Sequence, residues 1–130
     1  MAQGCQEFLK ECHADLIVPV PLHPKRLRWR GFNQSLLLAR QVSRLYEVSV
    51  DPFILYRDRE TAPQTLLAED ERRKNVRGAF AVYPEKSLKD RKVLLVDDVY
   101  TSGATVNECS RALVRGGAKE VYVLTLARTV

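Results

Sequence analysis

The run VLLVDDVYTSGAT, Val93 to Thr105, sets four apolar residues directly before two adjacent aspartates and a Thr-Ser-Gly turn. Val93 to Val96 is too short and too uniformly apolar for a helix and reads as a strand buried on both faces, as in a parallel sheet. Downstream, Val106, Cys109 and Leu113 recur at helical spacing and stop at Gly116-Gly117, which suits a helix C-terminal cap. Val121 to Leu126 then reads as a further strand. This alternation predicts an α/β domain with a central, mostly parallel sheet flanked by helices, whose ligands bind beyond the carboxyl ends of the strands.

On that reading Asp97 and Asp98 sit at a strand's carboxyl end, and Thr101 to Thr105 form the turn into the next helix. A helix N-terminus offers unpaired N–H groups and the positive end of its dipole to an anion. Gly103 allows close backbone approach, and Thr101, Ser102 and Thr105 add hydroxyl donors, so the turn reads as a cradle for one phosphate. The carboxylates repel phosphate and need hydroxyls or a cation as partners. Ribose 5-phosphate, with its phosphate at one end and vicinal hydroxyls nearby, satisfies both halves. An aspartate capping a helix, or ordinary turn residues, would explain either feature alone; the two in register after a buried strand favour a ligand site. The Gly-Lys-Ser/Thr of a nucleoside-triphosphate loop is missing, as is G-x-G-x-x-G.

Upstream, Leu16 to Leu22 reads as a strand running into a loop, its prolines marking an irregular end. Asn33 can cap a helix from Gln34 to Tyr46 with Leu38, Val42 and Leu45 on one face. Phe53 to Tyr56 reads as a second extended run after the Asp51-Pro52 turn signal, and Leu66 to Asn75 as a helix with little apolar face.

The chain has 130 residues, 45% of them hydrophobic, which at this size suffices to bury roughly two-thirds of the unfolded surface in one domain. Residues 1–15 read as an N-terminal segment and 16–130 as the domain. No apolar run approaches the ~20 residues of a spanning helix, and the N-terminus has no signal-peptide core, so a cytoplasmic protein is expected. Cys5, Cys12 and Cys109 are too few for a disulfide framework, and Cys5, Cys12 and His13 match no common zinc spacing; no metal-ligand set is read. The net charge of +5 is unevenly distributed: KRLRWR, Lys25 to Arg30, is wholly basic in its charged residues, and five arginines and one lysine fall between Arg57 and Arg77. Such a surplus favours an anionic partner, a phosphate metabolite or nucleic acid.

The Val93–Thr105 run resembles the signature of type I phosphoribosyltransferases, which bind 5-phosphoribosyl 1-pyrophosphate (PRPP) with magnesium. VPVPLHPKRLRWRGFNQ (Val18 to Gln34), TAPQTLLAEDERRKNVRGAF (Thr61 to Phe80) and GAKEVYVLTLAR (Gly117 to Arg128) resemble the competence-protein ComF branch of that family. The resemblance implies that Asp97 and Asp98 hold the ribose hydroxyls, and that Thr101, Ser102, Gly103, Ala104 and Thr105 hold the 5-phosphate. It places the pyrophosphate loop at Leu22 to Arg30, where Lys25, Arg26, Arg28 and Arg30 carry charge, arginine being able to bind bidentately. Thr61 to Arg77 falls where such enzymes have a mobile loop, so that Gln64, Arg72, Arg73 and Asn75 would meet pyrophosphate or the acceptor. A solvated basic loop and an exposed charged helix remain the plain alternatives for these two segments. Such proteins commonly carry a cysteine-rich zinc module before the transferase domain, which is not seen in residues 1–15, and the hood that selects the acceptor reads as reduced or absent.

The resemblance thus implies a glycosyltransferase of nucleotide metabolism that takes PRPP and Mg²⁺ and transfers the phosphoribosyl group to an acceptor the sequence leaves open. The alternative is a non-catalytic module of DNA uptake that binds nucleotide or single-stranded DNA, alone or with DNA-processing proteins. A homodimer is compatible with either. A receiver-type signalling domain also carries an acidic pair at a strand end, but gives the Thr-Ser-Gly turn no role.

Overall fold

A computed structural model describes residues 13–21, 33–57, 77–100 and 103–128. Strand β1 (Leu16–Pro19) leads through the segment at 22–32 to helix α1 (Gln34–Tyr46) and short strand β2 (Ser49–Val50). Strands β3 (Leu55–Arg57) and β4 (Phe80–Val82) come next, followed by β5 (Lys92–Tyr100), α2 (Ala104–Arg115) and β6 (Glu120–Arg128). The main sheet has the order β2-β1-β5-β6 and every pairing in it is parallel, while β3 and β4 form a separate antiparallel pair.

Alternation along the strands sends apolar residues to both faces of the sheet. Ile17, Leu94, Val96 and Leu124 pack with Leu38, Ala39 and Val42 of α1 on one side. Leu16, Val18, Val93 and Leu95 pack on the other side with Val106, Cys109, Ala112 and Leu113 of α2 and with Leu55 and Phe80 of the β3–β4 pair. The uniformly apolar Val93–Val96 run is thereby explained, since each of its side chains meets a helix layer. Ile17, Leu94, Leu95 and Leu113 are fully buried, and truncating one of them to alanine is expected to cost about 2–5 kcal/mol.

Helix α1 has the predicted bounds, with the Asn33 side chain accepting from the Ser35 N–H as N-cap. Its buried face differs from the predicted one. Ser35, Leu38, Ala39 and Val42 are buried while Leu45 is exposed; Leu45 lies about 60° round the helix from Val42, on the far side from Ala39. The second extended run is displaced as well. Asp51 accepts the Phe53 N–H and holds Pro52-Phe53 in a turn, so Phe53 is exposed and the strand begins at Leu55. Helix α2 ends in a Schellman arrangement: Ala118 N–H donates to Leu113 O and Gly117 N–H to Val114 O, with Gly117 left-handed at φ 106°. The predicted helix at Leu66–Asn75 lies outside the described residues.

The β1–α1–β2 unit winds away from the sheet centre in one direction and β5–α2–β6 in the other. The reversal falls between the adjacent strands β1 and β5, which is where open α/β sheets bind ligands.

Candidate functional site

Strand β1 stops pairing at Pro19↔Val96, but β5 continues along β6 through Tyr100↔Arg128. Asp97 and Asp98 therefore lie inside a nine-residue strand, not after a four-residue one, and they begin where β1 has ended. The extension arises from partnership with β6, which a reading of the apolar run alone does not register. Asp97 is buried and Asp98 half-buried.

Helix α1 brings a third polar group to this pair. The Ser35 hydroxyl lies 3.4 Å from Asp97 Oδ1 and 3.3 Å from Asp98 Oδ1, and its oxygen accepts the Asp98 backbone N–H at 3.2 Å. Ser35 is itself buried, at 3% exposure. Its place is fixed by Asn33, which caps α1 through Oδ1 and donates from Nδ2 to the Val20 carbonyl at 3.1 Å. A buried hydroxyl is tolerated when its hydrogen bonds are made, and here the partners come from a strand 62 residues away.

On α2, the buried Cys109 thiol is raised well above its ordinary value of 9.0. Burial is the main cause, the Asp97 and Glu108 charges add to it and the Arg57 charge opposes it. Arg57 is also buried, with its guanidinium 5.0 Å from the centre of the Phe80 ring. Gly103, at φ 82°, is the N-cap of α2, so Ala104 and Thr105 already belong to the first helical turn. Among the described residues no group of three or more His, Cys, Asp or Glu side chains could hold a metal ion, and no helix is long and apolar enough to cross a membrane.

A family model for the phosphoribosyl transferase domain matches residues 33–129. The chain belongs to that family. It is 41% identical over 116 residues to the DNA utilization protein YhgH of Escherichia coli K12, and 40% identical over 115 residues to competence protein F of Haemophilus influenzae. These matches cover 89% and 88% of the chain but half of each relative. Competence protein ComFC of Streptococcus pneumoniae is 32% identical over 98% of the chain and 54% of its own length. The chain thus spans about half the length of the curated relatives it matches, and their names agree with the ComF likeness read from its sequence.

Among solved structures, the purine phosphoribosyltransferase of Pyrococcus horikoshii superimposes with a TM-score of 0.61 at 20% identity, over 96% of this chain and 68% of that one. A hypoxanthine phosphoribosyltransferase of Staphylococcus aureus gives 0.56 at 14%, over 97% of this chain and 59% of the other. These matches establish the phosphoribosyl transferase fold.

Within this phosphoribosyl transferase domain, the structure brings together Asp97, Asp98 and the start of α1 at the sheet's switch point, and begins α2 at Gly103–Ala104 just after β5. Thr101 and Ser102 lie outside the described residues, as do Lys25, Arg26, Arg28, Arg30, Gln64, Arg72, Arg73, Asn75, Cys5 and Cys12. Ser35 is the site residue that sequence reasoning missed. Its one local signal was a small polar residue on the buried stripe of an amphipathic helix, directly after the cap.

Proposed function

We propose that the domain binds PRPP with Mg²⁺ and transfers its phosphoribosyl group to an acceptor, releasing pyrophosphate. The observation that carries this reading is the carboxylate pair at the β1/β5 switch point, held by α1 and followed within the same strand-to-helix connection by left-handed Gly103. Asp97 and Asp98 accept from the vicinal ribose hydroxyls and fix the sugar. The 101–105 turn receives the 5-phosphate on the α2 N-terminus, where Gly103 has no Cβ to obstruct it. Lys25, Arg26, Arg72 and Arg73 are proposed to stabilise the pyrophosphate as the C1–O bond breaks and its electron pair leaves with the phosphate oxygen.

The donor set suits magnesium. Two carboxylates fall short of a dedicated cation cage, and Mg²⁺ is commonly held by one or two carboxylates together with substrate phosphates and water. Bound that way, the cation supplies charge neutralisation on the pyrophosphate.

Calorimetric titration of the protein with PRPP, with and without Mg²⁺ and with ribose 5-phosphate as comparison, tests the reading. Magnesium-dependent binding of PRPP, tighter than that of ribose 5-phosphate, is expected. Absence of binding by either ligand would overturn it.

A second reading is favoured by the names of the relatives, which speak of DNA utilization and competence. In it the same pocket serves as a nucleotide or single-strand contact in DNA uptake. Affinity for single-stranded DNA that falls steeply with salt, and is lost when Arg26 and Arg28 are neutralised, would distinguish it.

A further inference from the structure

We infer that Ser35 is a positioning residue that sets the two carboxylates for the ribose hydroxyls; the inference rests on the ribose-phosphate reading of the site. A serine at the second position of α1 offers the helix nothing that alanine would not, because alanine is the better helix former and fits the same volume. Its hydroxyl is nevertheless buried against three polar atoms of β5: Asp97 Oδ1, Asp98 Oδ1 and the Asp98 N–H.

The proton arithmetic gives this contact a direction. The Asp98 N–H donates to Ser35 Oγ, which occupies one lone pair and leaves the hydroxyl a single proton for two carboxylates. Adjacent negative charges repel, and a proton that either of them can accept lowers the cost of holding both beside one hydroxyl. Each carboxylate accepts along about four lone-pair directions, so a single hydroxyl proton orients the pair without by itself filling either carboxylate. A lysine or arginine at this place would neutralise the pair outright and compete with the ligand. Serine orders it without adding a cation. The Asn33 clamp to Val20 makes the arrangement rigid, since it ties the start of α1 to the end of β1 beside β5.

The consequence is selective. Among the described residues the Ser35 hydroxyl bonds to the two aspartates proposed to meet the sugar, and its loss acts on them first. Ser35→Ala is expected to weaken ribose 5-phosphate at least about tenfold, the range of a lost hydrogen bond to a charged group, while inorganic phosphate binds as it does to the unaltered protein. Ser35→Cys leaves no void but offers only a weak S–H donor, and is expected to show the same selective loss. Circular dichroism confirms that each variant is folded before titration.

Unchanged ribose 5-phosphate affinity in both variants, with the unaltered protein binding normally, would remove the role of Ser35 and leave the functional reading standing. So would an equal loss of ribose 5-phosphate and inorganic phosphate, which signals a general disturbance of the pocket. An unaltered protein that binds neither ligand overturns the functional reading and the role of Ser35 with it.

Discussion

The Asn33 side-chain amide donates to the carbonyl oxygen of Val20 at 3.1 Å, joining the two ends of a thirteen-residue step in the chain. The same side chain accepts the Ser35 N–H at 3.0 Å and so starts α1. One residue therefore fixes where the helix begins and how it sits against the end of β1. Asn33→Ala removes both bonds and is expected to destabilise the domain by about 1–2 kcal/mol. Asn33→Asp keeps the capping acceptor and loses the donor to Val20, and is expected to lie between. Urea unfolding of the three proteins measures this, and an alanine variant as stable as the parent would contradict it.

Asp98 is expected to tolerate alteration with little effect on folding. Its carboxylate is half-buried, and asparagine preserves its shape and an acceptor for the Ser35 hydroxyl. Replacing one carboxylate oxygen by an amide turns an acceptor into a donor facing donor hydroxyls. Asp98→Asn is expected to reduce PRPP affinity at least about tenfold while changing stability by less than about 1 kcal/mol. Calorimetry and denaturant unfolding on one preparation decide it; full affinity in the folded variant would rule out the role.

Gly103 holds φ at 82°, a left-handed conformation that costs any residue with a Cβ about 1–2 kcal/mol. Gly103→Ala should lower stability by that amount or shift the start of α2. Either response disturbs the N–H groups proposed to receive phosphate, so inorganic phosphate and ribose 5-phosphate are expected to weaken together. That pattern contrasts with the sugar-selective loss expected at Ser35. Parallel titration of both ligands separates the two cases.

Cys109 supplies a pH dependence with a definite sign. Burial foremost, and then the Asp97 charge, hold its thiol well above the ordinary 9.0. The folded state therefore keeps a proton that the unfolded chain releases. This contribution is fully present below pH 9.0 and is lost as pH climbs toward the folded value, with a slope of at most about 1.4 kcal/mol per pH unit. The loss should be absent from Cys109→Ala. In a Cys5→Ser/Cys12→Ser background, alkylation of Cys109 should be slow in native buffer and fast in denaturant. Rapid native alkylation would show that the thiol is not enclosed as described.

Local sequence was enough for features that repeat over a few residues. The apolar run at Val93–Val96 gave a buried parallel strand, Asn33 with the 34–46 periodicity gave α1, and the apolar spacing ending at Gly116-Gly117 gave α2, because strand and helix periods and helix caps are short-range properties. The sequence also marked Asp97 and Asp98 as candidate site residues, and the structure places Ser35 beside them.

What the tertiary structure decided depends on which strands become neighbours. Partnership with β6 carried β5 on to Tyr100, the β3–β4 pair formed across more than twenty residues of intervening chain, and the position of α1 on the sheet left Leu45 exposed. The same placement brought Ser35 to Asp97 and Asp98. No spacing rule links a serine to carboxylates 62 and 63 positions away; that contact exists because parallel pairing of β1 with β5 sets the start of α1 beside the place where β5 runs past β1.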